Sequence, residues 1–131
     1  MKYFISMPMR GVPEEAVKEI MNSVKEHIDK TTHGEWIDTL IHEDLGGPLE
    51  YLGESIGRMQ QADIVYFVTL KLEGRDEVYR WEYARGCAVE HCAALEYDKK
   101  IRYLTASKNS TRWVVTPDPF WGKDNPLDWK E

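Results

Sequence analysis

The run Asp63-Ile64-Val65-Tyr66-Phe67-Val68 constrains this chain more than any other, because it is nearly continuous in apolar character. A strand with one wet face alternates apolar and polar residues. An unbroken run is expected where both faces of a sheet are covered. Its flanks supply covers. Leu49 to Gln61 carries Leu52, Ile56 and Met59 at helical spacing, and residues 84–97 read as a helix opened by glycine and small residues.

The same alternation runs through most of the chain. Residues 2–6 form a short apolar strand ended by Ser6-Met7-Pro8. Pro13-Glu14-Glu15 starts a helix, since proline suits the first turn and acidic side chains favour the positive helix end. Ala16, Val17, Ile20, Met21, Val24 and Ile28 give that helix one apolar stripe, to about Asp29. Thr31-Thr32-His33-Gly34 breaks it, Glu35–Ile41 reads as a second strand, and Gly46-Gly47-Pro48 marks a loop. Residues 69–80 are polar and read as an irregular excursion. Ile101–Leu104 is a further strand and Trp113-Val114-Val115 a candidate last one. Residues 105–131, rich in proline and tryptophan, are expected as a tail that packs on a surface or a neighbouring subunit. Strand and helix in this order imply a single α/β domain over 1–131, with a parallel sheet of four to five strands and right-handed crossovers.

Composition excludes several classes of function. A formal net charge of −6 argues against a grip on a nucleic acid polymer, which needs a basic surface. No apolar run approaches the roughly 20 residues that cross a bilayer, and the start lacks a secretory pattern. The protein is therefore expected in the cytoplasm, off the membrane, with Asn109-Ser110-Thr111 irrelevant as a glycosylation site and Cys87 and Cys92 reduced. Those two cysteines fall on different faces of one helix. Cys87 and His91 can share a face, but no second ligand pair stands at zinc spacing, so neither a metal site nor a cofactor is expected.

In open parallel sheets, ligands bind outside the carboxyl ends of the strands. That rule gathers Ser6–Gly11, the residues after Val68 and the start of the Gly86 helix around one crevice. Ser6 and the backbone of Met7, Pro8, Met9, Arg10 and Gly11 leave the first strand just before a helix, where free amides can hold an anion or sugar hydroxyls. Arg10 and Arg85 are candidate phosphate partners, and Gly11 permits close backbone approach. Trp81 is expected to stack on a ligand's ring and Tyr83 to cover the core. Glu90 sits on what reads as the first turn of its helix, where the dipole would keep it anionic. Asp63 opens its strand and reads as structural.

Three pieces together resemble the nucleoside 2-deoxyribosyltransferase-like superfamily. They are Phe4-Ile5-Ser6-x-Pro8-x-x-Gly11, Met59-Gln60-Gln61-Ala62-Asp63-Ile64-Val65, and Gly86-x-x-x-Glu90-x-x-x-Ala94. The resemblance covers residues 2–104 and implies a flavodoxin-like three-layer sandwich that cleaves an N-glycosidic bond. It makes Glu90 the nucleophile on the anomeric carbon of a nucleoside or nucleoside 5′-monophosphate, and implies a homo-oligomer. The physical logic is that of a retaining glycosidase, in which a carboxylate stabilises an oxocarbenium-like transition state and bonds to it. The family also has an aspartate on the preceding helix to bind or protonate the leaving base. Ser55 stands in its place here, which leaves Glu54, Asp44 or Glu82 as alternative acids. Two other readings follow from that replacement and from the tail. One is a binding module that senses a nucleotide without turning it over; the other is an interaction protein that docks through Trp113, Trp121 and Trp129.

Overall fold

The computed structural model describes residues 1–31, 34–38, 40, 45–71, 78–109 and 112–118. The apolar run becomes the middle strand, here labelled β3 (Ile64–Lys71), and every residue of it but the last is buried. On one edge it pairs in parallel with β1 (Lys2–Ser6), through Tyr3↔Ile64 to Ser6↔Phe67. On the other it pairs in parallel with β5 (Lys100–Asn109) along its whole length, from Ile64↔Lys100 to Lys71↔Ser107. A short parallel strand β2 (Glu35–Ile37) flanks β1, and β6 (Arg112–Pro117) returns antiparallel along β5. The order is β2-β1-β3-β5-β6, with β4 (Val78–Tyr79) antiparallel to the end of β3 at Leu70 and Lys71. Because β5 occupies one edge of β3 throughout, β4 extends the edge that β1 leaves after Ser6.

Side chains alternate across this sheet and divide the core in two. Tyr3, Ile5, Tyr66, Val68, Leu70, Leu104 and Ala106 face α1 (Glu14–Thr31), which buries Val17, Ile20, Met21, Val24 and Ile28 against them. Phe4, Val65 and Phe67 face the opposite way. They pack with Met59 of α2 (Pro48–Met59), Cys87 and Ala94 of α3 (Arg85–Glu96), and Trp81 of a 3₁₀ turn at Trp81–Tyr83. Fully buried residues such as Ile5, Ile20 and Phe67 each contribute about 1.5–3 kcal/mol by leaving water. The chain is an α/β protein with a mostly parallel sheet and apolar cores on both faces.

Local contacts fix the junctions. Asp63 is structural: its backbone N–H donates to the Lys2 carbonyl at 2.8 Å and its carboxylate accepts from the Lys2 N–H at 2.8 Å, aligning the starts of β1 and β3. The Lys99 ammonium donates to the carbonyls of Gln60 and Ala62 at 2.7 and 2.8 Å, placing a cation at the negative end of α2. Arg58 pairs with Glu54 one turn earlier on α2 and donates to the carbonyls of Asp38 and Leu40, tying α2 to the segment after β2.

Several boundaries differ from the sequence reading. β3 runs on through Thr69, Leu70 and Lys71 where an excursion was expected, because Leu70 is buried on the α1 face and the β5 ladder continues opposite. β5 extends from Lys100 to Asn109, and β6 takes Arg112–Pro117 into the sheet, so the expected tail of 105–131 begins as a β-hairpin. Of the second expected strand, Glu35–Ile37 is observed, and Thr39 and Ile41 lie outside the described residues. Trp121 and Trp129 also lie outside them. No helix of the described residues is long and apolar enough to cross a membrane.

Candidate functional site

Three elements that are remote in sequence bring one carboxylate and two hydroxyls together. Ser6 ends β1 and lies on the same sheet face as Phe4, the face that α2 and α3 cover. Cys87, Glu90, His91 and Ala94 form the buried side of α3, as residues three and four apart on a helix must. Ser55 stands one turn before Met59 on α2. The Ser6 hydroxyl donates to Glu90 Oε1 at 2.9 Å and the Ser55 hydroxyl to Oε2 at 2.5 Å. Glu90 is only 6% exposed. Each of its oxygens thus has a donor from a different element, and the carboxyl group is fixed in position and plane at the carboxyl end of β1.

Burial and the two hydroxyls act in opposite directions on Glu90. Desolvation disfavours the charged form and is the larger effect; the hydrogen bonds from Ser55 and Ser6 favour it. The balance raises the Glu90 pKa above the ordinary carboxylate value. This corrects the expectation that a helix dipole holds the group anionic. α3 starts at Arg85, so Glu90 lies in its second turn, beyond the reach of the terminal partial charge, and no acidic residue occupies the first turn. Cys87, one turn earlier, is pushed up to about 12 by burial, against a smaller lowering by the Ser6 hydroxyl, so it stays a neutral thiol.

Beside this cluster lies an aromatic group. Trp81 packs on Phe67, on His91 with ring centres 4.3 Å apart, and stacks on Tyr103. His91 Nε2 and the Tyr103 hydroxyl are hydrogen-bonded at 2.8 Å. Burial lowers the His91 pKa to about 4, against a smaller opposing pull from Glu82, so the ring is neutral at physiological pH.

The sequence-derived site residues separate into three groups. Ser6, Ser55 and Glu90 converge. Met7 and Pro8 are buried, Met7 in the α1-side core, so what that stretch can offer a ligand is backbone. Arg10, Gly11, Arg85 and Gly86 are exposed, and Gly11 adopts a φ of 82° that favours glycine. A Cβ at Gly86 would meet nothing within 4 Å, so packing among the described residues does not demand glycine there.

The two aromatic residues exchange roles. Trp81 is 2% exposed and belongs to the core, while Tyr83 is 81% exposed. Positions two apart in a 3₁₀ turn stand about 120° apart, so one meets the core while the other meets water, and three residues alone do not set that phase. Among the alternative acids, Glu54 is engaged with Arg58 and Glu82 with Arg80 at 2.7 Å, whereas Asp44 lies outside the described residues. Sequence reasoning missed the buried hydroxyl of Thr69, on β3 two residues past Phe67; its only signal was a polar residue directly after an apolar strand. Among the described residues no three His, Cys, Asp or Glu side chains converge to hold a metal ion. Compared with protein-family models, curated proteins and solved structures, the chain matches none.

Proposed function

We propose that the Glu90 site takes a nucleoside or nucleoside 5′-monophosphate and acts at its N-glycosidic bond. The observation that carries this reading is the buried Glu90 carboxyl, held on both oxygens by Ser6 and Ser55 at the carboxyl end of β1. A carboxylate so held loses little freedom on reaching an anomeric carbon. Its partial desolvation keeps it reactive where a hydrated carboxylate is passive. In the first step a Glu90 oxygen bonds to the anomeric carbon and the C–N bond breaks, its electron pair passing to the base nitrogen, which takes a proton from solvent; the attacking water of the second step returns one. In the second step water, or the nitrogen of another base, attacks the same carbon and frees Glu90. Because burial raises its pKa, Glu90 becomes fully anionic only above the ordinary carboxylate range, and activity should rise with pH as it ionises.

The strand order β2-β1-β3-β5 and the cores on both sheet faces support a flavodoxin-like three-layer arrangement, in which such a position is where ligands bind. Function as a homo-oligomer in the cytoplasm, without a nucleic acid polymer, belongs to the same proposal. A second reading is favoured by one observation. Ser55, which stands where the resembling family has its acid, spends its hydroxyl on Glu90. In that reading the site binds the same ligands without turnover.

The test is chromatographic. The protein and Glu90→Gln are incubated with a panel of nucleosides and 5′-monophosphates, with and without a second free base. Base release or exchange that needs Glu90 supports the first reading. Binding without any product moves the conclusion to the second, and neither binding nor turnover sinks both.

A further inference from the structure

We propose that Thr69 is a further ligand contact of the Glu90 site, hydrogen-bonding a polar group of the bound nucleoside away from the bond that Glu90 attacks. The inference rests on the functional reading given above. Thr69 is 2% exposed, and its hydroxyl has no hydrogen-bond partner among the described residues. A buried hydroxyl without a partner is uncommon, because it loses water and gains nothing in return. A valine would fill the same space in β3 without that penalty.

The register places this hydroxyl. Val65 and Phe67 lie in the core beneath α2 and α3, and the β3–β5 ladder runs without a bulge from Ile64↔Lys100 to Lys71↔Ser107. Strict alternation therefore puts Thr69 on the same sheet face as Phe67. Ser6 pairs with Phe67, so Thr69 stands two residues beyond the row of Ser6, about 6.6 Å further toward the carboxyl ends of the strands. That is the direction in which a ligand anchored at Glu90 extends. Thr105 is paired opposite Thr69, half-buried and on the same face, so two threonines stand side by side across β3 and β5. A pair of hydroxyls, each able to donate and accept, suits a ligand edge that carries oxygen or nitrogen, whether on the base or on the sugar.

The experiment compares the wild-type protein, Thr69→Val and Thr69→Ser. Melting temperatures are recorded without ligand. Dissociation constants are then measured by calorimetry for the four 2′-deoxynucleosides, their 5′-monophosphates, the free bases and 2-deoxyribose 5-phosphate. Thr69→Val is expected to melt at the same temperature as wild type or higher, yet to bind the tightest member of the panel about tenfold more weakly. Thr69→Ser, which keeps the hydroxyl, is expected to bind within about twofold of wild type. A loss seen with the free base places the contact on the base; one seen with the sugar phosphate places it on the sugar. If wild type binds and Thr69→Val binds equally well, this inference alone falls. It also falls if Thr69→Val melts several degrees lower, since the hydroxyl then serves the fold. If wild type binds nothing in the panel, the functional reading and this inference fall together.

Discussion

Glu90→Gln is expected to make the protein more stable, and increasingly so as pH rises through the range where the native carboxyl resists ionisation. The reason is the conflict at the site. Ser6 and Ser55 each give Glu90 a charge-assisted hydrogen bond, an interaction on the order of 1.5–3 kcal/mol. Burial still outweighs them and raises the pKa. The folded state therefore holds its proton more tightly than the unfolded chain, in which a glutamate titrates near about 4.3. Stability from this group is fully present below that value and is lost as pH rises through the native pKa, with a slope of at most about 1.4 kcal/mol per pH unit. Above the native pKa the loss is complete and constant.

Glutamine avoids this loss while keeping the contacts. Its carbonyl accepts from Ser6, and its amide donates to Ser55 once that hydroxyl rotates to accept. The assay is thermal or urea unfolding of both proteins from pH 4 to 9. At this chain length about 1 kcal/mol corresponds to roughly 3–5 °C, so a difference that develops over one pH unit is readily measured. Ser55→Ala removes one of the two stabilising hydrogen bonds, so it should extend the sensitive range upward and lower stability at pH 8 by on the order of 1.5–3 kcal/mol. Parallel pH profiles for wild type and Glu90→Gln would refute the reasoning. So would a glutamine variant less stable than wild type at pH 8, since the buried charge would then be a net stabiliser.

Three further outcomes are expected. Trp81→Ala should cost on the order of 3–5 kcal/mol, whereas Tyr83→Ala should stay within about 0.5 kcal/mol of wild type, a contrast that chemical denaturation will read directly. Native protein should expose one thiol to an aqueous disulfide reagent, Cys92, and release Cys87 only on unfolding, since Cys87 is buried with its pKa pushed up to about 12; rapid modification of both in the native state would contradict this. His91 has a native pKa lowered to about 4, so its stabilisation is complete above about 6.5, its unfolded value, and is lost as pH falls toward 4. The loss is on the order of 3 kcal/mol, and the check is an NMR titration of the ring together with acid unfolding of wild type and His91→Gln.

Where periodicity carried the signal, the sequence was readable. α1 buries Val17, Ile20, Met21, Val24 and Ile28, the stripe its spacing implied, and the apolar run from Ile64 is the middle strand. Asp63 also holds the structural place assigned to it. Glu90 was legible as a residue type in a local pattern, but its environment was not. The hydroxyls that hold it lie 84 and 35 residues away, and helix phase relative to the sheet is settled only by packing. Trp81 and Tyr83 failed for the same reason, because nothing in three residues tells which side of a 3₁₀ turn meets Phe67.

The end of β3 was misread for a different reason, and it is the informative one. Thr69 and Lys71 broke the apolar run, so the strand seemed to stop at Val68 although Leu70 is buried and the β5 ladder continues. A strand whose only task is packing would have kept an apolar side chain at position 69, on the face that already carries Val65 and Phe67. Ser6 breaks β1 in the same way, with a hydroxyl after Phe4 on that same face. Local rules thus fail in two neighbouring strands, on one face and at one end of the sheet. Glu90, a carboxyl whose charged form burial disfavours, accepts from the Ser6 hydroxyl. Departures from a well-packed core that cluster so closely are what a trade of stability for binding would leave, and they support the site proposed at Glu90.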